Sequence, residues 1–219
     1  MLQNLQLFGF TNSEGTTQDI HFTYQTLGPE LGTAPVVLVL HALSGNSEVV
    51  GSKGWWNELI GIEKAIDTGV YTVLALDMPG NGFNGKQEHL LQNYKDFTLK
   101  DFAKIYIEAF QKLKIEVFFA GIGGSIGGAL LWEIAALVPD LFQNIIPVAT
   151  DYKSTEWVKA LCKVQDQILN NSLEPLKDAR MHAMTFYRSP ESFKEKFSNS
   201  EPHRGVENWL EYHGSKLEQ

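Results

Sequence analysis

The sequence predicts a doubly wound α/β sheet followed by a block of helices. Three observations carry that prediction. Short, nearly continuous apolar runs recur through the first 150 residues, amphipathic helical segments separate them, and one run turns into a helix through a glycine-flanked serine. Runs of that kind belong to strands covered on both faces, and strand-helix-strand order is the pattern of a mostly parallel sheet.

Taken in order, Gln18 to Leu27 places Ile20, Phe22 and Tyr24 at period two, the pattern of a strand with one buried face. Pro35 to Leu40, Val70 to Leu76, Val117 to Ala120 and Ile145 to Val148 are the apolar runs that predict buried parallel strands. Thr98 to Leu113 carries Phe102, Ile105, Ala109, Phe110 and Leu113 at helical spacing, with Thr98 as N-cap and Asp101 three residues on. A second helix runs from Ile126 to Val138, closed by Pro139 and Asp140. Beyond residue 150 the spacing predicts helices over Ser154 to Leu169, Leu176 to Tyr187, Pro190 to Phe197 and Val206 to Lys216, with no strand among them. Residues 1–150 are therefore expected to form the α/β core, and 151–219 a helical cap.

The chain has 219 residues, 43% hydrophobic and 11% aromatic, which suits one compact domain or at most two small ones and argues against disorder. Its 26 acidic residues outnumber 18 basic ones, for a formal charge of -8, so nothing supplies the basic face that nucleic acid or an anionic membrane requires. A single cysteine, Cys162, rules out an internal disulfide and a thiolate metal cluster, and points to a reducing, cytoplasmic setting. The opening residues lack a basic region, and no apolar run reaches the length of a membrane span.

Chemistry concentrates in Gly123-Gly124-Ser125-Ile126-Gly127, a G-x-S-x-G motif in the strand-turn-helix context it needs. A serine on so sharp a turn requires neighbours without side chains, and the helix beyond it aims free N–H groups at the same spot, which suits an oxyanion. The competing readings are a plain glycine-rich turn or a phosphate cradle, although no Walker lysine is present after it. Gly80-Asn81-Gly82-Phe83-Asn84-Gly85 formally fits a dinucleotide fingerprint, but the next residues, Lys86-Gln87-Glu88-His89, are too polar for a helix on a sheet; Asp77 to Gly82 reads as a turn-rich loop at a strand end. The second signal is His41-Ala42-Leu43-Ser44-Gly45-Asn46, directly after an apolar strand, where a second oxyanion N–H would come from Leu43 beside that of Ile126. His41 precedes the serine and reads as a loop organiser rather than the base. Trp55-Trp56 reads as packing.

With these motifs in order, the chain resembles the homoserine O-acetyltransferases of the α/β-hydrolase superfamily. The matching stretches are HALSGN at 41–46, GWWNELIG at 54–61, KAIDTGVYTVLALD at 64–77, GIGGSIGG at 121–128 and DARMHAMTFYRSPESFKEKF at 178–197. The resemblance implies an α/β-hydrolase-like, mostly parallel sheet flanked by helices, with a helical cap. It implies Ser125 as nucleophile, Leu43 and Ile126 as the oxyanion hole, and Arg180 as the group that binds the substrate carboxylate, with Arg188 the competitor. The reaction implied is acyl transfer from acetyl-CoA to the hydroxyl of homoserine in methionine biosynthesis, with acetyl-CoA as co-substrate, no resident cofactor, no metal and room for a homodimer. Where the family carries an Asn-Val-Leu-Gly-Gly-Cys-Tyr-Gly type loop, this chain has DMPGNGFNG at 77–85. The family's acid and histidine come after the cap on later strands, which this sequence does not reach, so a truncated chain with impaired turnover is expected. After Ser125 the histidines are His182, His203 and His213, all in the expected helical cap and none following a strand, and Asp151 is a candidate displaced acid. An esterase or thioesterase, or a non-catalytic fragment, are the alternatives.

Overall fold

The computed structural model describes residues 2–198 and 205–216. The chain divides into two compact units, Met1–Tyr152 and Lys153–Gln219, each described by itself.

The first unit is built on a six-stranded sheet. Its elements in chain order are β1 (Gln3–Thr11), β2 (Thr17–Leu27), β3 (Val36–Leu40), the two-residue strands β4 (Ile60–Gly61) and β5 (Ile66–Asp67), β6 (Thr72–Leu76), α1 (Leu99–Lys112), β7 (Ala120–Gly124), α2 (Ile126–Leu137) and β8 (Ile145–Val148). Strand order in the large sheet is β1-β2-β6-β3-β7-β8, while β4 and β5 pair separately. The four strands β6, β3, β7 and β8 run parallel to one another; β1 with β2, and β2 with β6, are antiparallel. This is the mostly parallel sheet that the apolar runs predict.

Every residue of β3 and β6 is buried, because period-two alternation sends each strand's side chains to two covered faces. Leu38, Leu40, Leu74 and Leu76 join one core with Tyr106 and Phe110 of α1 and Leu130 and Ile134 of α2. Val37, Val39, Val73 and Ala75 join a second core with Val49 and Ile60, against which Trp55 and Trp56 pack. The tryptophan pair, ring centroids 4.5 Å apart, is thus packing, as expected.

Helix α1 begins as its sequence predicts. The Thr98 hydroxyl accepts the Asp101 N–H at 3.2 Å, and the Asp101 carboxylate accepts the Thr98 N–H at 2.9 Å, a reciprocal capping box. The same carboxylate accepts the Ser13 N–H at 2.9 Å and its hydroxyl at 2.6 Å, which fastens the helix to the β1–β2 turn.

Three expectations need correction. Strand β1 is not predicted from the sequence: Leu5 and Leu7 alternate toward the core, but a register shift between Leu7 and Phe10 breaks the period. The strand expected at 117–120 lies at Ala120–Gly124, with Phe118 contributing only an isolated bridge to Phe142. Glycine carries no apolar signal, which hides the true strand. Finally, β8 alternates half-buried and exposed residues, with Ile146 48% exposed, because among the described residues it has a neighbour on one side only.

The second unit holds α3 (Glu156–Asn171), α4 (Pro175–Phe186), α5 (Pro190–Phe197) and α6 (Val206–Ser215), within a residue or two of the predicted helices. Helix α4 packs on α3 and α6. Gly214 of α6 permits the close approach, since a Cβ there would lie 2.8 Å from Lys177 and 2.9 Å from Met181. Phe193, Phe197 and Trp209 form an aromatic cluster between α5 and α6. No helix among the described residues is long and apolar enough to cross a membrane.

Candidate functional site

At the end of β7, Ser125 adopts φ 53° and ψ -119°, a backbone conformation that non-glycine residues avoid. Two close approaches enforce the turn. A Cβ on Gly123 would sit 2.5 Å from the Gly127 carbonyl group, and one on Gly127 would collide with the carbonyls of Leu40 and His41. The spacing of glycines around Ser125 is therefore steric, as the motif implies. The Ser125 N–H donates to Val148 O at 2.8 Å, and its own carbonyl accepts the Ala129 N–H at 3.0 Å to open α2. The serine is exposed. Among the described residues its hydroxyl has no hydrogen-bond partner.

Ile126 is the first residue of α2, so its N–H has no acceptor within the helix. Leu43 lies in the turn after β3, closed by a Gly45 N–H to Ala42 O bond of 2.8 Å, and its N–H likewise has no partner among the described residues. Both residues line one cleft of about 520 Å³. An oxyanion on these two N–H groups, at the positive end of α2, is the stabilisation such an arrangement supplies.

The loop carrying Leu43 is held by two polar anchors. His41 is buried; its Nδ1 donates to Ala42 O at 2.6 Å and its Nε2 accepts the Met78 N–H at 2.9 Å. Burial pushes its pKa below the ordinary imidazole range, outweighing the Ala42 carbonyl and Asp77, which raise it. With Nε2 already accepting a backbone proton, His41 organises the loop and is not a free base. The second anchor is Asp77, fully buried at the end of β6. Its carboxylate accepts the Ser47 N–H at 2.7 Å, the Ser47 hydroxyl at 2.8 Å, Asn81 Nδ2 at 3.2 Å, and the Thr23 hydroxyl. It thereby fixes the loops after β3 and β6 to β2. From the sequence, Asp77 is only part of a turn-rich loop; an acidic residue ending a fully apolar strand is the signal that marks it.

Arg180 belongs to the second unit, on α4. Its guanidinium lies over the Tyr187 ring at 5.6 Å and donates to the Tyr187 hydroxyl at 3.5 Å. Among the described residues no carboxylate pairs with it. Arg188 instead donates to Ser192 at 3.3 Å. In that unit His182 has a buried Nδ1 without a hydrogen-bond partner. His213 lies against Trp209 at 4.7 Å, and burial together with the charges of Arg180, Lys216 and Lys196 depresses its pKa. His203 lies outside the described residues. Asp151 is exposed, with its carboxylate accepting the N–H of Tyr152 at 2.8 Å.

A mostly parallel sheet flanked by helices, with a strained serine at the head of a helix, is the arrangement of an α/β hydrolase, and the chain belongs to the alpha/beta hydrolase fold family, which matches residues 35–215. Within that family it is similar to homoserine O-acyltransferases. The homoserine O-acetyltransferase of Nautilia profundicola is 31% identical, over 90% of this chain and 65% of its own length. A homoserine O-succinyltransferase of Nitrosomonas eutropha is 29% identical, over 90% of this chain and 63% of its own. Among solved structures, the homoserine O-acetyltransferase of Staphylococcus aureus superposes with a TM-score of 0.82 at 25% identity, covering 99% of this chain and 66% of that one. The chain thus spans somewhat less than two thirds of the length of these relatives.

Proposed function

We propose that this chain carries the acyl-enzyme chemistry of a homoserine O-acyltransferase. Ser125 Oγ attacks the carbonyl carbon of an acyl-CoA thioester, acetyl-CoA by analogy with the relatives. The oxyanion rests on the Leu43 and Ile126 N–H groups while the C–S bond breaks, and CoA leaves as the thiol once it gains the serine's proton. The hydroxyl of homoserine then attacks the acyl-serine ester, forming O-acyl-homoserine and returning the proton to Ser125. Arg180 suits the homoserine carboxylate, since its guanidinium has no carboxylate partner among the described residues. Such a step belongs to methionine biosynthesis in a reducing cytoplasm, where the exposed thiol of Cys162 is stable.

The observation that carries this reading is the elbow itself, Ser125 held at φ 53° between two glycines that tolerate no Cβ. Among the described residues no base is hydrogen-bonded to Ser125, and with none supplied turnover is expected to be slow, because removing the histidine of a triad costs on the order of 10⁶ in kcat. Intact-mass measurement after incubation with acetyl-CoA or p-nitrophenyl acetate is expected to show one acetyl group on Ser125, and none on Ser125→Ala. Acetylation elsewhere, or CoA release that survives Ser125→Ala, would overturn the assignment. Homoserine is expected to discharge the acetyl-serine faster than water does; acetate release indifferent to homoserine would make the chain a hydrolase.

A further inference from the structure

We propose that the cleft lined by Leu43 and Ile126 is an acyl pocket selective for uncharged aliphatic groups, and that it admits chains longer than acetyl. The proposal rests on the acyl-enzyme reading and deepens it by naming the acyl class. Leu43 and Ile126, whose N–H groups would hold the acyl oxygen, both form part of the cleft wall. An acyl group bound on those donors therefore has this cleft beside its chain.

The wall decides the chemistry. Met78, Leu90, Leu91, Phe97 and Phe102 make it apolar, and among the described residues no Lys, Arg or His lines it. Its polar side chains are those of Asn81 and Tyr94. Asn81 is already committed, with Nδ2 donating to Asp77 at 3.2 Å and Oδ1 accepting the Phe83 N–H at 3.1 Å. The charged group it contacts is itself a carboxylate. A succinyl chain placed here would bring a second carboxylate into an apolar wall with no cation to pair it, which is strongly unfavourable. Size points the same way. The cleft measures about 520 Å³, within the roughly 300–1,000 Å³ of pockets that hold whole small ligands, whereas an acetyl group has three heavy atoms.

The test separates the pocket from the chemistry. Binding of acetamide, butyramide, hexanamide and succinamate to the full chain would be followed by ligand-detected NMR. Affinity is expected to rise about fourfold per added methylene from acetamide to hexanamide, and succinamate to bind at least tenfold more weakly than butyramide. Leu90 is 51% exposed, so a substitution there is expected to cost little stability, and Leu90→Arg is expected to remove the penalty on succinamate. No gain with chain length, or succinamate binding as well as butyramide, would overturn the proposal. In parallel, the acetyl, hexanoyl and succinyl thioesters of CoA would be scored for acylation of Ser125. Chain-length preference in binding with no acylation of Ser125 upholds the selectivity of the cleft and overturns the acyl-enzyme reading. Equal acylation by all three with flat binding upholds that reading and overturns the pocket.

Discussion

Gly124 and Gly127 belong to one five-residue motif, yet their surroundings differ. A Cβ on Gly124 meets nothing within 4 Å, and its φ is not positive, whereas one on Gly127 runs into the Leu40 and His41 carbonyls. Gly124→Ala is therefore expected to leave stability within about 1 kcal/mol of the original, or slightly raise it. Gly127→Ala is expected to cost about 1–3 kcal/mol by overpacking. Urea melts of the two variants check the contrast, and equal losses would contradict it. At this scale the sequence reveals what sterics repeat from fold to fold, and so Ser125, its glycines and the loop role of His41 are legible. Asp77 is not, because its partners Thr23, Ser47 and Asn81 come from separate segments that only the folded sheet assembles.

At the scale of elements, the N-terminus of α1 offers a quantitative handle. Removing the cap in Thr98→Ala is expected to cost about 1 kcal/mol. Burial pushes the Asp101 pKa up, but the hydrogen bonds from Ser13 and Thr98 outweigh it and hold the carboxyl below its ordinary range. Because the folded value is depressed, the contribution of Asp101 is complete above its unfolded pKa of about 4 and is lost as pH falls through the folded value. His41 acts in the same direction at higher pH. Its folded value is lowered by burial, so its share is complete above about 6.5 and declines as acid protonates the unfolded chain first. Stability measured from pH 8 to pH 3 should thus fall in two stages, and Asp101→Asn should flatten the lower one; an unchanged lower stage in that variant would contradict the assignment. Elements are legible wherever burial on both faces imposes a continuous apolar run, as in β3 and β6. They are lost where a bulge breaks the alternation in β1, or where glycines needed by the turn empty β7 of apolar signal.

For the whole molecule, the order of strands and helices is legible in the pattern, but the margin of the sheet is not. The run Ile145 to Val148 reads as a strand covered on both faces, and only pairing information shows that among the described residues it has a neighbour on one side alone. Apolar composition reports a strand's wish for cover, and whether a neighbour supplies that cover is a property of the assembled sheet. Edges open first in native proteins, since fewer hydrogen bonds and contacts restrain them. The Ser125 N–H is bonded to Val148 O on that edge. Hydrogen exchange should therefore release the Ser125 amide well before those of the central strand β3, and comparable protection of the two would count against the idea. In mild denaturant or during prolonged warming, the serine would lose its strained turn while the cores around Leu38 and Leu74 stay folded. The persistence of the strained Ser125 turn in this chain would then follow the opening of β8, and a melting temperature measured on the whole chain would overstate it.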